Sequence, residues 1–141
     1  MALNKEERES FLAEPHVAAL SVVEGPDKAP LTVPIWYQYT PGGEAWVLTG
    51  VGSRKARAIE AAGRFTLMVE RRDPTNRYVS VSGAVVRHES GTDEQNREMA
   101  YRYLPADKAE EFLKFSEEHL PDHVLFAIQP EVWLSADLGE W

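Results

Sequence analysis

Cysteine is absent from this sequence, and with it go disulfides and every thiolate metal site. Positive charge is scarce: 15 Lys and Arg stand against 23 Asp and Glu, a formal net charge of −8. That balance lacks the broad basic face a nucleic-acid binder needs. After Lys114 there is no Lys or Arg, and after His123 no His either. No apolar run approaches the roughly 20 residues that cross a bilayer as a helix. The opening "MALNKEERESF" is charged where a signal peptide would be apolar. No membrane association is expected, and the expected location is the cytoplasm. Also missing are a Gly-x-Ser-x-Gly elbow and any Ser–His–Asp set that spacing supports. "GVGSRK" lacks the length and the terminal Gly-Lys-Ser/Thr of a Walker loop.

What is present is one domain's worth of chain, 141 residues with 43% apolar and 27% charged side chains. Neither a repeat nor a linker divides it, so residues 1–141 are read as a single domain. Residues 4–13 predict a short helix, with Asn4 as cap, Glu7 completing a capping box and Pro15 beyond it. Strands are expected at 16–23, 31–39, 44–50, 64–70, 77–89 and 123–136, the second from a clear alternation in "LTVPIWYQY". Gly83 reads as a bend or bulge in the fifth. Two helices occupy the interval 92–120, the second with a stripe of Ala109, Phe112, Leu113 and Phe115. Six strands joined mostly by hairpins, with helices outside, predict an α+β, mainly antiparallel barrel.

One stretch is built against its own electrostatics. In "GVGSRKARAIEAAGR" (50–64) Ser53 is a good N-cap and Gly63 a good left-handed terminator. Arg54, Lys55 and Arg57 then crowd the positive end of the helix dipole, at a cost of about 0.3–1 kcal/mol each. Two readings fit. An anion at the free amides, a phosphate above all, would turn all three into partners. Otherwise the cations are solvated or paired with nearby carboxylates. Residues 54–87 hold eight of the fifteen basic side chains, which suits a small anion better than a polyanion. The four histidines, 16, 88, 119 and 123, form no metal-ligand grouping and read as structural or exposed. Acidic pairs such as Glu110/Glu111 read as solvated helix faces. Trp36, beside Thr32 and Pro34 on its strand face, suits either a flat aromatic ligand or simple packing.

The order "LTVPIWYQY…EAWVLTGVGSRKARAIEAAGRFTLMVE…RYVSVSGAVV…QPEVWLSADL" resembles the pyridoxamine 5′-phosphate oxidase-like superfamily over almost the whole chain. The resemblance implies a six-stranded split β-barrel with peripheral helices and a homodimer with cofactor sites at its interface. It also implies an oxidoreductase using FMN or the deazaflavin F420 to pass a hydride to or from a small organic substrate. Ser53, Arg54 and Lys55 match the segment that grips the cofactor phosphate, and Leu48 and Thr49 the strand end beside the ring. Val33, Pro34, Ile35 and Trp36 match the strand along the ring edge. Tyr78 stands where true pyridoxine phosphate oxidases carry a ring-contacting Gln, and Trp133 matches a late Trp that reaches the cofactor across the dimer. "LSADLGEW" after Trp133 has no basic residue for a substrate phosphate, so vitamin B6 oxidation is not expected. F420 would want further cations for its polyglutamate tail, for which Arg57, Arg71, Arg72 and Arg77 are available. A non-catalytic carrier on the same barrel is the alternative, with flavin or, through His88, haem. No catalytic side chain and no metal site is assigned.

Overall fold

The computed structural model describes residues 1–141. Its elements are α1 (Lys5–Ala13), β1 (Ala18–Val22), β2 (Leu31–Ile35), β3 (Gln38–Tyr39), β4 (Ala45–Gly50) and α2 (Arg54–Ala62). They continue as β5 (Arg64–Arg71), β6 (Arg77–Ser90), α3 (Asp93–Tyr103), α4 (Ala106–His119), β7 (His123–Ile128) and β8 (Val132–Asp137). The helix starts follow local chemistry. Asn4 and Glu7 exchange the two capping-box hydrogen bonds at 2.8 and 3.0 Å, and Thr92 and Gln95 do the same for α3. Gly63 ends α2 at φ 69°, a conformation that glycine adopts without penalty.

Eight strands form where six were expected, because two of the runs break. The run 31–39 breaks at Trp36–Tyr37: β2 pairs with β1, whereas β3 pairs with β4. A side chain takes the place of the ladder there. Tyr103 Oη accepts the Tyr37 N–H at 3.1 Å and lies 3.0 Å from the Tyr37 carbonyl and 2.7 Å from that of His16. The Tyr37 N–H is thus satisfied without a neighbouring strand, while the one hydroxyl proton serves the two carbonyls. The last run breaks around Pro130, giving β7 and β8 different positions along β6.

The strand order is β2-β1-β5-β6-β7-β4-β3, with β8 beside β6. Its two ends, β2 and β3, are halves of one bent run, so the antiparallel sheet curls onto itself as a split barrel. The other bent member is β6, which pairs with β8 through Ser82 and with β7 from Val85 onward, across an irregularity at Val85/Arg87. Leu20, Val47, Leu67, Val79, Val81 and Phe126 fill the interior, all fully buried. Buried outside that cluster are Leu125 and Ala127 on β7 and Met99, Ala100 and Ala109 on the helices. They mark where the α3–α4 hairpin packs on the outer face of the sheet. The expected stripe of α4 is only partly covered, since Phe115 is exposed and stacks on His119.

The far end of the barrel is tied by Asp137. The Thr75 hydroxyl donates to its carboxylate at 2.6 Å, the Gly139 N–H at 2.9 Å and Arg77 Nε at 2.9 Å. These contacts, led by Thr75, lower its pKa from 3.8 to about 2. A carboxyl depressed in the folded state stabilises the fold above its unfolded pKa, and the contribution disappears as pH falls through the interval from 3.8 to about 2. Asp137→Asn should therefore flatten the acid limb: between about pH 5 and pH 2 its Tm should fall less steeply than that of the wild-type protein. Parallel slopes would show that the carboxylate does not carry this link.

Candidate functional site

On one flank of the barrel, between the start of α2, the bend at Trp36 and the α3–α4 hairpin, lies a cavity of about 580 Å³. That volume is within the range of small-molecule and cofactor sites. Seven of the eleven residues expected from the sequence line it: Pro34, Ile35, Trp36, Leu48, Thr49, Ser53 and Lys55. The folding reasons are local. The bend after β2 turns Trp36 outward, where its ring stacks on Tyr103 at 4.8 Å and 8° and leans on Phe112 at 5.3 Å. The end of β4 delivers Leu48 and Thr49, and the Ser53 cap then aims the first turn of α2 at the same space.

The cavity is amphipathic. Trp36, Met99, Phe112, Val17 and Pro34 make its apolar part, whereas Thr49, Ser53, Lys55, Asn96 and His123 make its polar part. Ser53 Oγ accepts the Ala56 N–H at 3.2 Å and lies 3.2 Å from Thr49 Oγ1. The amides of Arg54 and Lys55, in the first turn, have no intrahelical acceptor. No carboxylate lies within ion-pair distance of Lys55, which faces the cavity.

Four expected residues lie elsewhere. Arg54 sits about 100° around the helix from Lys55, and its guanidinium forks onto Glu24 with bonds of 2.6 and 2.7 Å. The hydrogen bond from Arg54 is also the leading cause that holds the Glu24 carboxyl below its ordinary pKa. Of the two readings of the helix start, the carboxylate partner thus holds for Arg54, while Lys55 has no such partner. Arg57 donates to the Gly52 carbonyl at 3.1 Å. Val33 packs toward the core. Tyr78 stands on the outer sheet face between Glu70 and Ala136. Trp133 turns inward, its indole edge-on to Tyr39 at 6.2 Å with the Arg8 guanidinium 4.6 Å above it. Packed there, it is not among the residues lining the cavity of its own chain.

Asn96, Met99, Phe112, Leu120 and His123 were not among the expected residues, and all arrive through the α3–α4 hairpin or the strand after it. Asn96 Nδ2 donates to the buried Ser116 Oγ at 3.1 Å, which in turn lies 3.5 Å from His123 Nε2. Burial lowers the His123 pKa below its ordinary value against the opposing pull of Asp122 and Asp93. Tyr103 is raised, mainly by burial. His88 pairs with Glu60 at 3.5 Å and stacks on Phe126, outside the cavity lining.

A curled antiparallel sheet closed through two bent strands, with an amphipathic cavity on its flank, defines a split-barrel protein. The family profile described as "Pyridoxamine 5'-phosphate oxidase" matches residues 4–136, and the chain belongs to that family. No curated protein sequence matches. Among solved structures, one described as an F420 reductase is 26% identical with a TM-score of 0.70, covering 89% of this chain and 94% of its own. A conserved hypothetical protein from Mycobacterium tuberculosis is 22% identical with a TM-score of 0.73, covering 97% and 86%. An FAD-binding protein from Mesorhizobium loti is 21% identical with a TM-score of 0.61, covering 97% and 95%. No helix of the chain is long and apolar enough to cross a membrane.

Proposed function

We propose that the chain is a cytoplasmic oxidoreductase that holds FMN in this cavity and passes a hydride between it and a small organic substrate. The observation that carries the reading is the pairing of an unpartnered Lys55 at an open helix start with an aromatic wall at Trp36, within one cavity. Lys55 and the α2 amides would bind the phosphate, and Trp36, Leu48 and the Pro34–Ile35 backbone would border the ring. The flavin supplies the redox chemistry when bound. The protein's part is to orient it, exclude water with Met99 and Phe112, and shape the space above it. F420 is the second reading, favoured by the likeness to an F420 reductase. Against it, three of the four cations available for its tail are engaged: Arg57 by the Gly52 carbonyl, Arg71 by Thr75 and Arg77 by Asp137. Vitamin B6 oxidation is not proposed.

The reading includes a homodimer. Across β2, β1, β5, β6 and β8, register aligns Pro34, Ala19, Met68, Ser80 and Leu134 in one outward row and Thr32, Ser21, Thr66, Ser82 and Val132 in the next. Ten outward positions without a charge, on a chain of net charge −8, fit a partner surface. Val132 and Leu134 are each 63% exposed. Pro34 belongs both to this face and to the cavity lining, so a second copy seated there would border the cofactor.

The test is the visible spectrum of the purified protein, then titration with FMN and with F420, then turnover with reduced nicotinamide or reduced F420 and a panel of acceptors. Binding with turnover supports the enzyme. Binding with no turnover supports the carrier, and binding of neither cofactor overturns the reading.

A further inference from the structure

The polar end of the cavity contains one titratable side chain besides Lys55 that the reading above leaves without a task. His123 begins β7 and is paired in register with Gly50, the last residue of β4. The Gly50 carbonyl accepts the Ser53 N–H at 3.1 Å, so the imidazole starts from the strand position facing the turn that launches α2. Its ring lines the same cavity as Ser53 and Lys55.

The orientation of the ring is set from the other side. Ser116, 1% exposed, accepts from Asn96 and lies 3.5 Å from His123 Nε2. With one lone pair taken by Asn96, the hydroxyl keeps its proton and a second lone pair, either of which Nε2 can meet. The other ring nitrogen, Nδ1, makes no hydrogen bond within the protein. That nitrogen is therefore free to meet a ligand at the polar end of the cavity.

We propose that His123 is a binding residue for the ligand's phosphate, completing with Lys55 and the first-turn amides of α2 the anion site at the polar end of the cavity. This inference rests on the cofactor reading above and goes beyond it by assigning a residue and a proton. The charged groups around the ring are Asp122 beside it on the chain, Asp93, Glu94 and Arg97 on α3, Glu117 on α4 and Lys55 on α2. Arg97 is engaged by Glu110 at 2.6 Å. The surroundings without ligand are thus acidic on the helix side and basic only at Lys55. In the free protein burial lowers the ring's pKa below its ordinary value and so disfavours the charged form. A phosphate against it favours the charged form, so the ring takes up a proton as the ligand binds.

The test compares FMN with riboflavin, which lacks the phosphate, by fluorescence quenching at pH 6 and pH 8. In His123→Gln the FMN affinity should fall about tenfold at pH 6 and about threefold at pH 8, the difference between losing a charged and a neutral hydrogen-bond donor. Riboflavin affinity should change less than about twofold, which also reports that the variant folds. Because the FMN phosphate itself titrates near pH 6, each comparison is made between proteins at one pH. In the wild-type protein the His123 ring resonances should titrate about one pH unit higher with FMN than with riboflavin. If F420 proves the tighter ligand, F420 and its phosphate-free deazariboflavin replace the pair.

Equal FMN profiles for wild type and variant, or an equal loss for riboflavin, would reduce His123 to a wall residue while the cofactor reading stands. Failure of the wild-type protein to bind any of the four ligands would remove both.

Discussion

Lys55→Ala should weaken FMN binding by about 10- to 100-fold, the range of a lost charge-assisted hydrogen bond to phosphate. Arg54→Ala should weaken it less than about fivefold. The two residues are neighbours in sequence and both are cations in the first turn of α2, so a count of charges predicts equal effects. The structure separates them. Arg54 spends its fork on Glu24, and removing it deletes an exposed ion pair. Lys55 has no ion-pair partner and faces the cavity. Its charge also opposes the helix dipole, a cost that only an anion at the same place offsets. Quenching of flavin fluorescence in the two variants reads the difference directly. A larger loss in Arg54→Ala than in Lys55→Ala would mean that Glu24 releases Arg54 when ligand arrives. In that case Glu24→Gln should tighten binding.

The largest effect on stability is expected at Gly83. A Cβ there would overlap the Gln129 carbonyl oxygen and lie 3.2 Å from its carbon, so the obstacle is backbone, which does not rotate aside. The position is where β6 passes from its pairing with β8 to its pairing with β7, and the approach is pinned on both sides. The Glu131 N–H donates to the Ser82 carbonyl at 2.9 Å, and the Ala84 N–H donates to the Glu131 carboxylate at 2.8 Å. Relief would require opening the join between the two halves of the barrel. Gly83→Ala should therefore cost about 3 kcal/mol, the upper part of the overpacking range. For a chain of this size that lowers Tm by roughly 10 °C. Gly25→Ala is the control, with nothing within 4 Å of the added methyl. It should lie within about 1 kcal/mol of wild type. Similar melting temperatures for both variants would refute the steric account.

What could be read along the sequence was what short-range chemistry decides. Ser53 and Gly63 mark the two ends of α2, and Asn4 with Glu7 and Thr92 with Gln95 mark two other starts. Every strand falls, to within a residue, in a region expected from the sequence, and alternation marked the run 31–39 most clearly. It did not find the break after Trp36, because the cause is Tyr103, whose hydroxyl arrives from 66 residues away. The same limit applies to the site. Seven of the lining residues were legible, all contributed by two stretches of chain, 34–36 and 48–55. Glu24, which decides the fate of Arg54, lies 30 residues upstream of it. His123 enters the cavity because β7 pairs with β4 and sets it opposite Gly50, and no spacing in the sequence records that.

The split of residues 31–39 between two partner strands has an implication for how this protein can vary. Side chains in a strand alternate between faces, so gaining or losing one residue would exchange inside for outside along the rest of the run. Here the exchange would send the Trp36 ring into the barrel and the fully buried Tyr37 into the pocket. Relatives should accordingly differ in kind but not in number of residues across this stretch, with insertions confined to the connections at 23–30 and 40–44.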